Sequence, residues 1–227
     1  MKKNILKIAT ATASAIISLA FLSCTQEGDV YNYTSTAPKV VTNVTATRIN
    51  ETTVRLSWTA PEDDNIRAYY VGNTIAKDDL TTWSFNTVPV LSGKTFFDFA
   101  NAYQGFEWQF SVQTVSYDGT YSKPVTEKNS KILSNSIYCK IKQNNPNSVK
   151  VYVAVSDVNN VGIEKVCYKT GSATDVISNG TEISLDSDGY YSFDATTNAN
   201  YYFAAKLSDD TYINCNSSTN ISSIITN

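Results

Sequence analysis

Apolar and polar residues alternate in short runs along most of the chain. In the first half, Val54, Leu56 and Trp58 occupy every second position, and Trp108, Phe110 and Val112 do the same further on. Side chains two residues apart face the same side of a strand, so these runs predict half-buried β-strands. Asp118-Gly119 is a dipeptide typical of the tight turn between antiparallel strands. We therefore expect an antiparallel β-sandwich over residues 38–130.

A second set of alternating runs follows with a different sequence. Valine occupies four alternate positions from Val149 to Val155, which predicts a strand with one face in a core. Asp188-Gly189 supplies another tight-turn dipeptide, and Tyr201, Phe203 and Ala205 alternate after it. The pattern predicts a second sandwich over residues 131–227. The expected fold class is all-β, with two consecutive antiparallel β-sandwiches.

The first residues follow a different pattern. A basic start with Lys2 and Lys3 precedes an apolar run from Ile8 to Leu22. This run is too short and too rich in alanine, serine and threonine to span a bilayer comfortably, and its layout is that of a secretory signal. We predict a signal peptide over residues 1–23. Residues 24–37 are polar and lack periodicity, which predicts a flexible tether.

The end of the signal, Phe21-Leu22-Ser23-Cys24, resembles the lipobox of bacterial lipoproteins. The resemblance implies cleavage before Cys24 and attachment of lipid to that residue. Phe21 stands where leucine is usual in the strictest form of the motif. The alternative is an ordinary signal peptide that ends near a cysteine. With lipid on Cys24, the chain would be bound to the membrane only through its N-terminus.

The first half also resembles fibronectin type III domains. The similar segments are Val54-Arg-Leu-Ser-Trp58, Ile66-x-x-Tyr69-x-Val71, and the stretch from Phe99 through Gly105 to Val112. The resemblance implies a sandwich of about 90 residues with Trp58 in its core. Trp108 occupies the position of the family's corner tyrosine, and its indole N–H could donate the corner hydrogen bond.

The second half is similar to bacterial immunoglobulin-like domains. The segments are Gly162-Ile163-x-x-Val166-x-Tyr168, Asp188-Gly189-x-Tyr191-x-Phe193 and Tyr201-x-Phe203-x-Ala205. Such modules serve as spacers or binding modules on bacterial surfaces, so the resemblance implies no catalysis.

Composition narrows the range of functions. The 227 residues contain no histidine, which excludes Ser-His-Asp and Cys-His nucleophile systems and histidine-ligated zinc. Removing the three lysines of residues 1–23 from the formal charge of −3 leaves about −6 on the mature chain. This acidity, without any basic block, argues against nucleic acid as a partner. We expect no cofactor.

Three cysteines remain after Cys24. Cys139 and Cys215 both fall on inward-facing positions of strands that are neighbours in an immunoglobulin-like topology, so a disulfide between them is one prediction. The alternative is two buried thiols. Cys167 is out of phase with Val166 and Tyr168 and is expected to be exposed.

No metal site is predicted. The acidic clusters at residues 62–65 and 186–189 could bind calcium, but aspartate, asparagine and glycine in such runs are typical of turns.

Aromatic residues in or near predicted loops are the candidate ligand-binding side chains. They are Trp83, Tyr103, Tyr117 and Tyr121, with Phe106 close by. Exposed aromatic rings on a sandwich can stack on sugars or form protein contacts, whereas covered rings close the ends of the core.

The sequence therefore favours a non-catalytic cell-envelope lipoprotein that acts as a binding, adhesion or spacer module. Its location would be the outer membrane or the cell surface. The partner would be an unknown protein or glycan. The alternatives are a glycan-binding accessory lipoprotein, a hydrolase-associated domain, and a subunit of an envelope complex.

Overall fold

The computed structural model describes the chain from residue 36 onward, with short gaps. The described ranges are 36–75, 88–145, 148–187, 189–196, 199–214 and 219–220. The predicted signal peptide, Cys24, most of the predicted tether, Trp83, Asp188 and Cys215 lie outside these ranges. The expected all-β class is confirmed, because nearly all regular elements of the described ranges are strands in antiparallel sheets. No described helix is long and apolar enough to cross a membrane.

In the described ranges, seven strands form the first sandwich. They are β1 (Thr42–Asn50), β2 (Thr53–Thr59), β3 (Ile66–Ile75), β4 (Val88–Leu91), β5 (Phe96–Ala100), β6 (Trp108–Ser116) and β7 (Val125–Asn129). One sheet has the order β1-β2-β5 and the other the order β4-β3-β6-β7. The alternating apolar positions of each strand face the space between these sheets.

The core of the first sandwich contains the residues that the pattern predicted. Val54, Leu56 and Trp58 are buried on β2, and Tyr69 and Val71 are buried on β3. The rings of Trp58 and Tyr69 lie 5.2 Å apart between centroids, so the two sheets meet through aromatic contact.

The described part of the second sandwich has a similar set of strands and one short helix. These are β8 (Ser136–Asn145), β9 (Ser148–Ser156), β10 (Ile163–Thr170), α1 (Val176–Asn179), β11 (Thr181–Ile183), β12 (Tyr191–Thr196), β13 (Asn200–Leu207), β14 (Tyr212–Asn214) and β15 (Thr219–Asn220). Its sheets have the orders β8-β9-β12 and β11-β10-β13-β14, and β15 pairs with β13.

Both sandwiches follow one topological scheme. The first, second and fifth strands of each form one sheet, and the fourth, third, sixth and seventh form the other. In constant-type immunoglobulin domains the fourth strand joins the first sheet instead. The second sandwich therefore repeats the strand order of the first, although its sequence differs.

The second sandwich has a core between its two sheets, and a short helix covers part of one outer face. Val149, Val151 and Val153 of β9 face the core, and Tyr168 of β10 stacks on Phe193 of β12 with centroids 4.1 Å apart. On the outer face of the sheet that contains β10, Val176 of α1 covers Cys167. The expectation that Cys167 is exposed is therefore wrong. The residue does point away from the core, but the short helix buries it.

The first sandwich has two distinct ends. Four segments form one end, which we call the entry end because the described chain begins there: residues 36–41, 60–67, 91–96 and 117–123. Among the described residues, the opposite end contains the β1–β2 turn at Glu51-Thr52 and the β5–β6 loop at residues 101–107. We call it the junction end because it contacts the second sandwich.

Candidate binding surface

The turn between β6 and β7 is fixed by hydrogen bonds within itself. Gly119 adopts a left-handed conformation with φ of 84°, and its N–H donates to the carbonyl oxygen of Ser116 over 3.1 Å. The N–H of Thr120 donates to Ser116 Oγ and to Asp118 Oδ1, each at 3.0 Å. Ser116 Oγ donates to Asp118. These bonds hold the pKa of the Asp118 carboxyl below its ordinary value, with the Ser116 bond as the largest cause.

This turn presents two predicted aromatic residues to solvent. Tyr117 is 50% exposed and Tyr121 is 49% exposed. The ring of Tyr121 meets the ring of Tyr70 on β3 edge-on, with centroids 5.5 Å apart. The Gln113 amide donates to the Ser122 carbonyl over 2.9 Å and holds the chain beside this pair. We call Tyr70, Tyr117 and Tyr121 the aromatic surface. Tyr70 was not among the sequence-predicted residues, because its alternation identifies only a strand face.

Tyr103, the third predicted aromatic residue, lies at the junction end instead. Its ring stacks on Tyr138 of the second sandwich with centroids 4.8 Å apart. Its carbonyl accepts the indole N–H of Trp108 over 2.8 Å. The proposed corner bond of Trp108 is therefore present. The Lys140 ammonium lies 4.9 Å from the Tyr103 ring centroid and 5.3 Å from that of Trp108. The ring of Tyr103 thus packs within the chain and does not belong to the aromatic surface.

The junction between the sandwiches contains a network of hydrogen bonds. The Gln104 side chain is fully buried; its Nε2 donates to Ser134 and to Ser136 Oγ, and its Oε1 accepts the N–H of Leu133 over 2.8 Å. The Glu51 carboxylate accepts from the hydroxyls of Ser134 and Tyr138, the latter over 2.8 Å. The hydrogen-bond partners of Gln104 and of Glu51 all lie in the linker or in β8. The network therefore fixes the second sandwich to the first.

Apolar packing completes the junction. Phe106 is fully buried and its ring centroid lies 5.2 Å from that of Tyr190. The Tyr190 hydroxyl accepts the N–H of Glu107 over 3.2 Å. Tyr152 and Ala154, on the outer face of β9, belong to the same buried cluster as Phe106. The predicted half-buried strand over Val149–Val155 is therefore buried on both faces.

Charged groups at the junction have shifted pKa values. Hydrogen bonds from Ser134 and then Tyr138 lower the pKa of Glu51. Burial lowers the pKa of Lys140 and that of Arg48. Arg48 is 5% exposed, and its Nη1 donates to the Ala102 carbonyl over 2.8 Å. The carbonyl partner of Arg48 offsets part of the cost of burying its charge.

The acidic clusters are used by turns in the described ranges. Asp63 accepts the backbone N–H groups of Lys39 and Asn65, and Asp186 accepts that of Tyr190. The structure describes no group of three or more metal-ligating side chains. Asp188 lies outside the described residues.

Two of the cysteines that follow Cys24 lie in the described ranges, Cys139 and Cys167. Burial raises the pKa of the Cys167 thiol, which disfavours the nucleophilic thiolate. Cys139 lies half-buried on β8, and β8 contacts β14, the strand that ends one residue before Cys215. Because Cys215 is not described, the Cys139–Cys215 disulfide stays a prediction.

A groove lies at the β4–β5 edge of the first sandwich. It has a volume of about 350 Å³ and is lined by β4, the β4–β5 turn and β5. Its apolar residues are Pro89, Val90, Leu91, Phe96 and Phe97. Arg55 forms a bidentate pair with Asp98, at 2.7 and 2.8 Å, and its guanidinium lies 4.5 Å from the centroid of Phe96. Sequence patterns place Phe96 on the solvent face of β5 but give no sign of this groove.

Comparison with known structures shows similarity to chains that contain fibronectin type III domains. A segment of two such domains from chicken tenascin is 17% identical, covers 80% of this chain and 95% of its own, and has a TM-score of 0.38. The central fibronectin III array of a RIM-binding protein is 17% identical, with 78% and 68% covered and a TM-score of 0.34. The corresponding domain of human contactin 1 is 14% identical, with 48% and 92% covered and a TM-score of 0.36.

A family model matches the first sandwich. No curated protein sequence matches the chain. The model of the fibronectin type III domain matches residues 37–128, a range that runs from the entry end through β7. The match agrees with the strand order of the first sandwich and with the corner bond of Trp108. Residues 37–128 are therefore similar to fibronectin type III domains.

Proposed function

We propose that the chain is a non-catalytic lipoprotein of the bacterial cell envelope, anchored through lipid on Cys24, that acts as a binding and spacer module. The observation that supports it most is the pairing of a fixed junction with an exposed aromatic surface at the opposite end of the same domain. A fibronectin type III domain generally binds or separates other parts of a protein, and this arrangement suits both tasks.

The junction supports the spacer role. Gln104, Glu51 and Phe106 each contact the second sandwich directly, and their side chains are covered there. A spacer between two sites requires a connection that resists bending, which a buried, hydrogen-bonded interface provides and a flexible linker does not.

The entry end supports the binding role. Loops at the ends of a sandwich are common recognition sites because the sheets hold them in place. Tyr117 and Tyr121 project from a turn whose backbone is fixed by Ser116 and Asp118, so little conformational entropy is lost when they contact a partner.

The anchor is tested by comparing the wild-type chain with Cys24→Ser in bacterial envelopes. We expect the wild-type product to begin at Cys24, to include the mass of acyl chains and to fractionate with membranes. We expect Cys24→Ser to lack that mass and to be released. Affinity capture from labelled envelopes with the same pair would identify the neighbours. A wild-type product that retains residues 1–23 and has no acyl mass would contradict the proposal.

A glycan-binding accessory lipoprotein is the second candidate, favoured by the contact between Tyr70 and Tyr121. Aromatic rings of this kind stack on the apolar faces of sugars. An array of glycans tests it with the wild-type chain, Tyr117→Ala and Trp83→Ala. Sugar binding that is lost in these variants would favour this candidate. Binding that is unchanged would argue against the predicted aromatic residues as its site.

A further inference from the structure

Exposed hydrophobic side chains of the first sandwich are concentrated at the entry end. Among the described residues of this sandwich, six large hydrophobic side chains are exposed, and only Ile49 lies elsewhere. The other five are Val40 at 42%, Leu91 at 75%, Phe96 at 44%, Tyr117 at 50% and Tyr121 at 49%. Scattered exposed apolar residues are normal, but a group at one end of a domain indicates a surface that contacts something.

Charges at the entry end balance one another. Its segments contain four basic residues and four acidic ones: Lys39, Arg67, Lys94 and Lys123, with Glu62, Asp63, Asp64 and Asp118. The mature chain as a whole is acidic. Because this end has no net formal charge, it lacks the repulsion that the rest of the chain would experience near an anionic surface.

The chain enters the first sandwich at this same end. Pro38 is buried, the N–H of Lys39 donates to Asp63 Oδ2 over 2.9 Å, and Thr114 Oγ1 donates to the Lys39 carbonyl over 2.8 Å. These bonds fix residue 39 between the β2–β3 loop and β6. Thr36 follows Cys24 by 12 residues, and that length spans at most about 40 Å when fully extended.

We propose that the entry end is a membrane-contact surface whose partner is the headgroup region of the bilayer that holds the lipid of Cys24. This inference rests on the proposed lipid anchor. The short connection keeps the entry end at high effective concentration beside the bilayer. Tyrosine rings favour the headgroup region because one end of the side chain is apolar and the other forms hydrogen bonds. Leu91, Phe96 and Val40 add apolar area to the contact.

The contact orients the molecule. The second sandwich is joined at the opposite end, through Gln104 and Glu51, so it is held on the side away from the lipid. Its surface is then the one presented to partners in solution.

Fluorescence in vesicles tests the contact. The lipidated chain is reconstituted in vesicles of phosphatidylethanolamine and phosphatidylglycerol with brominated acyl chains, which quench tryptophan close to the bilayer. The reporter is Tyr117→Trp. The matched control is Tyr212→Trp, because Tyr212 is 56% exposed but belongs to the second sandwich. Emission of the wild-type chain is subtracted from both. We expect emission of the reporter at 117 to fall at least twofold more than that of the control. Equal quenching at both positions, or none at 117, would overturn the inference.

Two additional measurements separate this inference from the anchor. Vesicle flotation and the acyl mass on Cys24 report the anchor, so a chain that floats without quenching at 117 contradicts the contact alone. If Cys24 is not acylated, the anchor fails, and the reporter chain is then attached by an N-terminal histidine tag to vesicles with nickel-chelating lipid. Quenching at 117 in that arrangement supports the surface, and its absence overturns it.

A charge variant completes the test. Leu91→Asp in the reporter chain places a carboxylate at a side chain that is already 75% exposed, so folding is retained. We expect it to remove most of the quenching at 117 while flotation is unchanged. A reporter that responds to soluble oligosaccharides or to a captured protein but not to lipid would identify a different partner and overturn the inference.

Discussion

The two ends of the first sandwich both contain aromatic residues in loops, yet their surroundings are opposite. At the junction end, Phe106 is fully buried and Tyr103 stacks on Tyr138. At the entry end, Tyr117 and Tyr121 are each about half exposed. The loops have similar composition, so the difference comes from what lies next to them. The second sandwich covers one end, and no described residue covers the other in the same way.

Of the substitutions that test this comparison, replacing Phe106 should change the free energy of unfolding most. Phe106→Ala removes a ring that packs against Tyr190 and the outer face of β9. We expect the free energy of unfolding to fall by about 3–5 kcal/mol, the usual cost of deleting a buried aromatic side chain. Tyr117→Ala at the entry end should change it by no more than about 0.5 kcal/mol. Urea denaturation of both variants tests the prediction, and equal losses would show that the two ends do not differ in burial.

Alanine substitutions at two matched glycines should give the next largest loss of stability. Gly105 and Gly119 have nearly the same left-handed backbone, with φ of 86° and 84°. A Cβ at Gly105 would lie 2.9 Å from Ser156 Oγ and 3.0 Å from Ala154 Cβ, whereas one at Gly119 would meet nothing within 4 Å. Both alanine variants should lose about 1–2 kcal/mol from backbone strain.

The difference between the glycine variants measures the close approach of the sandwiches. Gly105→Ala should cost a further ~1–3 kcal/mol, because the second sandwich must move to admit the methyl group. Thermal unfolding of the two variants gives this difference directly. A Gly105→Ala variant that is no less stable than Gly119→Ala would mean that the junction opens without cost.

The carboxylate of Glu51 should make the junction sensitive to acid. Hydrogen bonds from Ser134 and Tyr138 lower its pKa below the ordinary value of 4.5. Its contribution to stability is therefore present above that value and is lost as the pH falls through the lower folded-state pKa. We expect Tyr138→Phe to cost about 1.5–3 kcal/mol at neutral pH, the range for hydrogen bonds to charged groups.

The pH dependence of Glu51→Gln checks this assignment. The stability difference between wild type and variant should be greatest near neutral pH and should shrink below pH 4.5. Asp118→Asn is the control from the entry end, since the pKa of Asp118 is also lowered by hydrogen bonds, and these come from Ser116 and Thr120 of its own turn. A constant difference for Glu51→Gln from pH 7 to pH 3 would contradict the hydrogen-bonded carboxylate.

Much of the fold follows from alternation and turn residues. The strand positions of Val54, Tyr69 and Val151, and the turn at Asp118-Gly119, are local properties that a two-residue period reveals. The corner bond of Trp108 was expected from the resemblance of this stretch to fibronectin type III domains. These features depend on residues close in the chain or on a face shared by a whole strand.

The junction could not be predicted in the same way. Tyr152 and Ala154 lie on the face of β9 that alternation assigns to solvent, and they are buried in the cluster that contains Phe106 of the first sandwich. Cys167 is similar, because the four residues of α1 cover it from outside the sheet. Such coverage depends on how separate elements pack, and no period in the sequence records it. The contrast between Tyr103 and Tyr117 has the same origin.

Replacing Lys140 should have the smallest effect, because two opposing contributions nearly cancel. The ammonium gains attraction from the rings of Tyr103 and Trp108, worth about 0.5–2 kcal/mol. Burial opposes the charge and lowers the pKa of Lys140 from its ordinary value of 10.5. Lys140→Met keeps the apolar stem and removes both contributions, so we expect stability at pH 7 to change by less than about 1 kcal/mol.

Since the folded-state pKa is the lower one, wild type should gain stability relative to Lys140→Met as the pH rises through that pKa toward 10.5. Urea denaturation at pH 7 and pH 9.5 measures both quantities, with Lys150→Met, whose ammonium lies over the Tyr152 ring, as the control. A loss above about 2 kcal/mol at pH 7 would show that attraction to the rings exceeds the cost of burial, and the junction would then depend on a charge that the entry end does not need.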